Sequence, residues 1–140
     1  MAKLLNIPVY VVCDADTDKE NITDEDKRKA QVVQHKKENK SILCLQGHEK
    51  LNEWPADIIR EANLTLWKTN ISEIIKEEFV GKWEEYSNKS FLYYGNPGGL
   101  VKNPLAIART LQSAWDDNIK SASLIKLVDD IISFSQKKKT

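Results

Sequence analysis

An uninterrupted apolar run at residues 7–13, followed at once by an acidic loop, constrains the fold of this chain more than any other feature. The run reads Ile-Pro-Val-Tyr-Val-Val-Cys, and a short run this rich in β-branched residues is typical of a central strand that is buried on both faces. Pro8 is tolerated because it lies at the start of the strand, where its missing N–H group breaks no ladder. Strands of this kind belong to sheets covered by helices, so we expect an α/β domain.

Helix and strand signals alternate after this run. Residues 23–26 (Thr-Asp-Glu-Asp) predict the start of a polar helix that reaches about Asn39, and the apolar residues 41–45 predict a second short strand. This βαβ spacing indicates a three-layer domain with a mainly parallel sheet. Residues 56–67 are compatible with a helix, a strand or part of each.

The C-terminal half is predicted to be mainly helical. Asn70 reads as the cap of one helix, in which residues 71, 74, 75, 79 and 83 are apolar at helical spacing. Residues 88–94 are compatible with a strand, and residues 95–99 form a loop.

Two further helices complete the predicted fold. Asn103 and Pro104 begin the first as its N-cap and first-turn proline, and Ser121 or Ser123 begins the second. The positions expected to face the core are Leu105, Ala108, Leu111 and Trp115 in the first helix, and Leu124, Leu127, Val128, Ile131 and Phe134 in the second.

The composition is that of an ordinary globular chain, with 140 residues, 30% charged residues and a formal net charge of zero. Zero net charge provides no global field that would attract nucleic acid or an anionic membrane, so DNA binding must depend on a local site. No apolar run has the length of a membrane span. Cys13 and Cys44 each lie in an apolar run and are expected to be reduced, as in the cytoplasm. We expect one cytoplasmic domain at residues 1–135, with a basic tail at residues 136–140.

Asp14, Asp16 and Asp18 directly follow the first strand, at the end of a sheet where α/β proteins bind ligands. Alternate residues of an extended segment point the same way, so these carboxylates are expected to converge on one cation. Oxygen ligands select Mg²⁺, Mn²⁺ or Ca²⁺. A solvated acidic turn is the plain alternative. A calcium loop of the EF-hand type is disfavoured, because its sixth position requires glycine and is Lys19 here.

Lys102 is the second candidate site residue. It follows Gly98-Gly99 and precedes the Asn103-Pro104 helix start, where a cation is unfavourable by roughly 0.3–1 kcal/mol. A phosphate bound there would meet free N–H groups, the positive end of the helix dipole and the ammonium group together. A solvated lysine on a loop is also compatible with the pattern. With the acidic loop, Lys102 suggests a phosphodiester site.

The remaining polar and aromatic candidates are weaker. His35 is expected to face solvent on a polar helix, and His48, at a strand end, could approach the site or be structural. Three tryptophans lie on apolar stripes and are expected in the core rather than as platforms for bases: Trp67, Trp83 and Trp115.

Residues 5–18 (Leu-Asn-Ile-Pro-Val-Tyr-Val-Val-Cys-Asp-Ala-Asp-Thr-Asp) resemble the DxD strand of TOPRIM domains. The resemblance is closest to the overcoming-lysogenization-defect (OLD) class of ATP-dependent nucleases. It continues through residues 39–43, Trp54-Pro55, the helix at Ile71 and residues 102–104 with the helix that follows. It covers nearly the whole chain, although only the DxD strand is a specific motif.

The resemblance implies a Rossmann-like sheet and metal-dependent cleavage of DNA phosphodiesters. By this analogy Asp14 and Asp16 hold Mg²⁺ or Mn²⁺, and Lys102 matches the family's basic residue near the scissile phosphate. In the family, two ions can stabilise the attacking and leaving oxygens of the displacement.

Two departures limit the analogy. The family's glutamate lies on a strand before the DxD strand, and the eight residues before Val9 include no acidic residue. Where the family usually has another acidic residue, at the start of the middle helix, this sequence has Ser72 with Glu73 beside it. The chain therefore resembles the C-terminal part of a TOPRIM domain, which we expect to be inactive alone and to be completed by an upstream portion that carries an ATPase.

Two other functions stay open. A haloacid-dehalogenase-like phosphatase also begins with an apolar strand ending in DxD, with Asp14 as nucleophile and Asp129-Asp130 as a later acidic pair. Its fifth motif position prefers Thr or Val, whereas this chain has Asp18. The missing glutamate also motivates a third hypothesis, a non-catalytic binding or assembly module. The sequence does not define the oligomeric state.

Overall fold

The computed structural model describes residues 7–79, 81–94 and 103–137, which form a mixed α/β, mostly helical structure. Its elements in chain order are β1 (Val11–Asp14), a 3₁₀ helix (Thr17–Asn21), α1 (Glu25–Gln46), β2 (Ile59–Glu61), β3 (Leu64–Trp67), α2 (Ile71–Glu78), α3 (Trp83–Tyr94), α4 (Pro104–Asp116) and α5 (Ala122–Gln136). The chain divides into two compact units. The sheet unit comprises the residues up to Ile71 together with those from Leu127 onward, and the helical unit comprises Ser72–Lys126.

The sheet is mixed rather than mainly parallel. Its strand order is β1-β3-β2, with β1 parallel and β2 antiparallel to β3. All four residues of β3 are buried, whereas β1 lies at an edge of the described sheet and Val12 is 42% exposed. The prediction that residues 7–13 form the central strand is therefore wrong. The short run Leu-Thr-Leu-Trp takes that place, and it lies within the stretch where the sequence pattern was ambiguous.

One long helix replaces the predicted helix and second strand. The helix starts within the predicted segment 23–26, and the Asp24 side chain caps it by accepting from the Lys27 N–H group at 2.8 Å. The helix then continues to Gln46 and ends at Gly47, whose φ is 83°. Residues 41–45 are therefore helical, and the predicted strand is wrong. A short apolar run does not distinguish a buried strand from the last turns of a helix. Leu43 joins Ala15, Leu64 and Leu66 in the core of the sheet unit.

The opposite face of the sheet contacts the last turns of α5. Tyr10 pairs with Thr65 through their hydroxyl groups at 2.7 Å, and its ring lies 5.4 Å from that of Phe134. Arg60 forms an ion pair with Asp130 at 3.1 Å. Because neighbouring residues of a strand point to opposite faces, the residues at 60 and 65 lie on the face opposite the Leu64–Leu66 core.

In the helical unit, the helix predicted through residue 83 is interrupted. α2 ends at Glu78, Gly81 adopts a positive φ of 75°, and α3 begins at Trp83. Residues 88–94 belong to α3, so their assignment to a strand is wrong. The interruption occurs at a glycine because a residue without a side chain adopts this left-handed conformation at little cost.

The helix starts at Asn103 and Ser121 are confirmed, but the buried faces differ from the prediction. Asn103 Oδ1 accepts from the Leu105 N–H group at 3.0 Å, and Ser121 Oγ accepts from the Leu124 N–H group at 3.1 Å. In α4 the small residues Ala106, Thr110 and Ala114 are buried, while Leu105, Ala108 and Trp115 are exposed and Leu111 is half-buried. In α5 Leu127 is buried, Leu124 and Phe134 are half-buried, and Val128 and Ile131 are exposed.

The reason for the shifted face of α4 is close packing against α3. Ser90 of α3 and Thr110 of α4 are both buried and pair through their hydroxyl groups at 2.9 Å. Small side chains allow two helices to approach this closely, so the large residues point outward. Trp115, 51% exposed, has the Lys120 ammonium 4.4 Å from its ring centroid.

Candidate functional site at the end of the first strand

Asp14 lies at the carboxyl end of the parallel β1–β3 pair, opposite Trp67 in register. Its Oδ1 accepts a hydrogen bond at 3.1 Å from the N–H group of Ile71, the first residue of α2. Burial raises the pKa of the Asp14 carboxyl above its ordinary value of 3.8; the Ile71 N–H group opposes this rise, and the charges of Asp16 and Asp18 add to it. Asp14 is therefore a half-buried carboxyl group fixed at a strand end, as the sequence predicts.

The loop after Asp14 is held by its backbone. The N–H groups of Ala15, Asp16 and Thr17 donate at 2.8–3.1 Å to the carbonyl groups of residues 67–69, which follow β3. The buried amide of Asn39, on α1, donates at 3.0 Å to the Ala15 carbonyl and at 3.0 Å to that of Glu53. This loop is therefore part of the sheet unit's packed structure rather than a loose acidic turn.

Asp16 changes the direction of the chain. Its φ of 55° and ψ of 35° lie in the left-handed region, and the 3₁₀ helix begins at the next residue. The extended conformation therefore ends before Asp16, and the alternation expected of a strand does not continue to Asp18. Asp18 lies within the 3₁₀ helix, so the three carboxylates do not follow one straight strand.

Lys19 contacts two of the three predicted metal ligands. Its Nζ lies 3.3 Å from Asp16 Oδ1 and 3.1 Å from Asp18 Oδ2. The hydrogen bond to Asp18 raises the pKa of the Lys19 ammonium, partial burial opposes this, and Asp16 adds to the rise. The other carboxylate oxygen of Asp18, Oδ1, is buried without a hydrogen-bond partner. The mutual repulsion expected of the carboxylates is thus partly relieved by a neighbouring side chain.

His35 lies closer to the acidic loop than the sequence predicts. Its Nδ1 lies 3.5 Å from Asp16 Oδ2 and 3.7 Å from Glu38 Oε2, and its side chain is only 19% exposed. The expectation that it faces solvent is wrong. The spacing of His35, Asn39 and Leu43 is the signal that could have placed it, because residues four apart share a helix face and the last two are buried.

The donor atoms suit an oxygen-liganded cation only in part. Among the described residues, no group of three or more His, Cys, Asp or Glu side chains could hold a metal ion. Mg²⁺, however, is commonly held by one or two carboxylates and keeps several of its waters. Asp14 and Asp16 are the two carboxylates that such an ion would use, and among the described residues they form no closed site with a third carboxylate.

Other predicted site residues lie elsewhere or outside the described residues. Lys102 and the preceding glycine loop are outside them. Glu73 pairs with Lys76 at 3.1 Å. His48 Nε2 lies 2.7 Å from Asn63 Oδ1, just before β3 begins and hence at the end of this strand remote from Asp14. The idea that His48 approaches the site is therefore wrong, because the longer α1 carries it to the other end of the sheet.

The acidic pair of the phosphatase alternative lies in a helix. Asp129 and Asp130 are within α5, as their spacing predicts, and Asp130 pairs with Arg60. Arg60 is opposite Thr65, which is itself opposite Val12, two residues before Asp14. The ion pair with Arg60 therefore holds Asp130 beside the middle of the sheet, not at the strand end where Asp14 lies.

No protein-family model, curated protein or solved structure matches the chain. The resemblance to TOPRIM domains therefore stays a prediction. None of the helices in the described ranges is both long enough and apolar enough to cross a membrane.

Proposed function

We propose that this chain is a TOPRIM-like portion of a metal-dependent DNA nuclease, Rossmann-like and three-layered, that is inactive by itself. The observation that carries this proposal is the position of Asp14 and Asp16 after a strand of the parallel pair, with Asp14 held by the first N–H group of α2. Ligand sites in α/β sheets form at such strand ends. The chemistry of the two carboxylates suits Mg²⁺ or Mn²⁺.

Each residue has a defined part in this proposal. Asp14 and Asp16 hold the cation. The Asp14 carboxylate is positioned by accepting from the Ile71 N–H group, and Asp16 by the hydrogen bond from its own N–H group to the Thr69 carbonyl. Lys102 contacts the phosphate of the DNA backbone as a point charge. A bound divalent ion supplies stabilisation for the negative charge that develops on the phosphate.

The sheet also supports the proposal of a missing partner. The N–H groups of Val11 and Ala15 donate to carbonyl groups of residues 63 and 67, on the side of β3. Those of Val12 and Asp14 therefore point away from β3, toward the free edge of β1. Within the described residues no strand pairs with that edge. An upstream portion that carries the family's glutamate on a strand, together with an ATPase, would complete the sheet there. DNA cleavage then requires both portions.

Calorimetric titration with Mn²⁺ tests the cation half of the proposal. Wild-type protein is expected to bind Mn²⁺ at millimolar or lower concentration, and Asp14→Asn and Asp16→Asn to lose most of the affinity. Asp26→Asn is the matched control, because Asp26 is an exposed carboxylate in the first turn of α1. Equal binding by all four proteins would remove Asp14 and Asp16 from the proposal.

A plasmid-nicking assay with Mn²⁺ tests the proposed incompleteness. The isolated chain is expected to leave the plasmid intact. Cleavage by the chain alone that disappears in Asp16→Ala would confirm the nuclease chemistry and contradict the need for a partner.

A non-catalytic binding or assembly module is the second candidate, and the contact of Lys19 with Asp16 and Asp18 favours it. An acidic loop in which a neighbouring lysine pairs with two of the three carboxylates has less need of a bound cation. Absence of Mn²⁺ binding would support this candidate over the nuclease. Turnover of small phosphate esters, with a phosphoryl analogue trapped on Asp14, would instead favour the phosphatase.

A further inference from the structure

The edge of β1 that faces away from β3 presents backbone groups to a further strand. In a parallel pair, alternate residues of a strand direct both the N–H and the C=O group to the partner, and in β1 Val11 and then Ala15 do so. Val12 and Asp14 direct theirs outward, and within the described ranges no strand pairs with them. Such a row of donors and acceptors is a template for another strand.

An apolar flank of α5 lies on the same side of the sheet unit. Asp130 points toward β2, where it pairs with Arg60. Val128 and Ile131 lie on the opposite flank of the helix, because each residue advances the helix by about 100°. This flank therefore faces the free edge of β1, and both side chains are exposed, as is Val12 on the same face of the sheet.

The backbone of this edge is complementary to itself. If β1 lies antiparallel to β1 of a second copy, with a two-fold axis at Val12, the two Val12 residues pair and Tyr10 pairs with Asp14 of the other copy. All outward groups then meet in hydrogen-bonded pairs, with no like charges opposite each other. Pro8 lacks an N–H group and Asp16 is left-handed, so this ladder is confined to residues 10–14.

The same axis brings the flanks of two α5 helices together. The ion pair of Asp130 places that residue level with Val12, and Val128 and Ile131 lie on either side of this level along the helix. The flank residues at 128, 131 and 135 are valine, isoleucine and serine, and the formal net charge of the chain is zero. Neither local nor overall charge therefore opposes the association of two copies.

We infer that the free edge of β1 and the apolar flank of α5 form a dimer interface, which a second copy of this chain occupies by pairing β1 with β1. The result is one continuous sheet with three strands from each copy. A strand of four residues and one helix flank make a small interface, so the dimer is expected to be weak. The inference goes beyond the proposed function, because it requires neither a cation nor DNA.

Sedimentation velocity of the full chain, from about 10 µM to about 1 mM, tests the inference. The wild type is expected to change from monomer to dimer in this range. Val12→Lys places two like charges opposite each other at the axis and is expected to weaken dimerisation about tenfold or more. Val33→Lys is the matched control, because Val33 is exposed on α1, which covers the other face of the sheet, and it should dimerise as the wild type does.

A second pair of variants tests the helix flank. Ile131→Lys is expected to weaken dimerisation by a similar factor, because it places a charge between the two α5 flanks. Ile107→Lys is its control, since Ile107 is 37% exposed against 39% for Ile131 but lies on α4 in the helical unit. Equal dimerisation by these two variants would remove α5 from the interface and overturn the inference.

An NMR dilution series of the wild type does not depend on how the variants fold. The amide signals of Val12 and Asp14 and the methyl signals of Ile131 are expected to shift with concentration and to share one midpoint. The methyl signals of Leu92, exposed on α3, are expected to stay fixed. Shifts confined to other residues would show a different interface and overturn the inference.

The outcomes separate this inference from the proposed function. A chain that stays monomeric up to about 1 mM, or Val12→Lys and Val33→Lys variants that dimerise alike, overturns the inference. Either result leaves the edge of β1 to the upstream portion, so the proposed function stands. Absence of Mn²⁺ binding or of DNA cleavage bears on the proposed function alone. Dimerisation that is lost in Val12→Lys and kept in Val33→Lys supports the inference in both cases.

Discussion

The sheet unit and the helical unit differ in the internal contacts that stabilise each of them. The acidic loop of the sheet unit is fixed by three backbone hydrogen bonds and by the buried amide of Asn39, above a core of leucines. In the helical unit, α4 packs its small residues against α3 and leaves its large residues, such as Trp115, exposed. The proposed cation ligands, Asp14 and Asp16, therefore lie in a segment that hydrogen bonds hold in place. The proposed contact with the DNA phosphate depends on Lys102, which lies outside the described residues.

The largest expected effect comes from the core of the sheet unit. Leu43→Ala is expected to lower the free energy of unfolding by about 2–5 kcal/mol, because Leu43 is fully buried. Leu45→Ala is the matched control, since Leu45 is 63% exposed, and it should cost less than about 0.5 kcal/mol. Denaturant titration measures both. In a strand the two side chains would share a face, so equal losses would contradict the helical assignment of residues 41–45.

The next effect concerns the amide that ties the acidic loop to α1. Asn39→Ala leaves the carbonyl groups of Ala15 and Glu53 without their donor and should cost about 1–3 kcal/mol. Gln34→Ala, on the exposed surface of the same helix, should stay within about 0.5 kcal/mol of the wild type. If thermal or chemical unfolding gives the same value for both variants, the acidic loop is not anchored as described.

Removal of a helix cap should lower the free energy of unfolding by a smaller amount, and by the same amount in each unit. Asp24→Ala and Asn103→Ala each remove a side-chain acceptor for backbone N–H groups and should each cost about 1 kcal/mol. Denaturant titration of the two variants checks this. A negligible loss for Asn103→Ala alone would show that α4 starts elsewhere, which would sharpen the contrast between the units.

The smallest effect is a pH dependence at Asp14. Because its pKa is raised in the folded state, this group contributes stability at low pH, which is lost as the pH rises from 3.8 through the raised value. Asp14→Asn removes this titration. The difference in unfolding free energy, variant minus wild type, should therefore increase with pH over this range. A difference that decreases would mean that the folded pKa of Asp14 is lowered instead.

The parts of the fold that the sequence predicts correctly depend on local chemistry. Side-chain caps at Asp24 and Asn103 act within a few residues, so their patterns locate the starts of α1 and α4. The end of the first strand is marked by the change from apolar residues to Asp14. These features require no knowledge of the rest of the chain.

The parts that the sequence missed depend on tertiary contacts. In residues 41–45 only Leu43 is fully buried, in the core with Leu64 and Leu66 of β3, yet the same apolar run would also suit a buried strand. The face of α4 is decided by the close approach of Thr110 to Ser90, which favours small residues over the hydrophobic stripe. In the candidate site, the left-handed turn at Asp16 brings the Lys19 ammonium group back to the Asp16 carboxylate. Residue spacing alone shows neither the turn nor this contact.

The most direct test of the cation site is paramagnetic broadening of amide signals by Mn²⁺. At millimolar or lower Mn²⁺, the signals of Asp14–Lys19 and of Ile71, whose N–H group bonds Asp14, are expected to broaden first in the wild type and to stay sharp in Asp16→Asn. The signals of His48 and Asn63, beyond the other end of β3, are expected to stay sharp in both proteins. Broadening that is absent at the acidic loop, or unchanged by Asp16→Asn, would contradict a cation site at the end of the first strand.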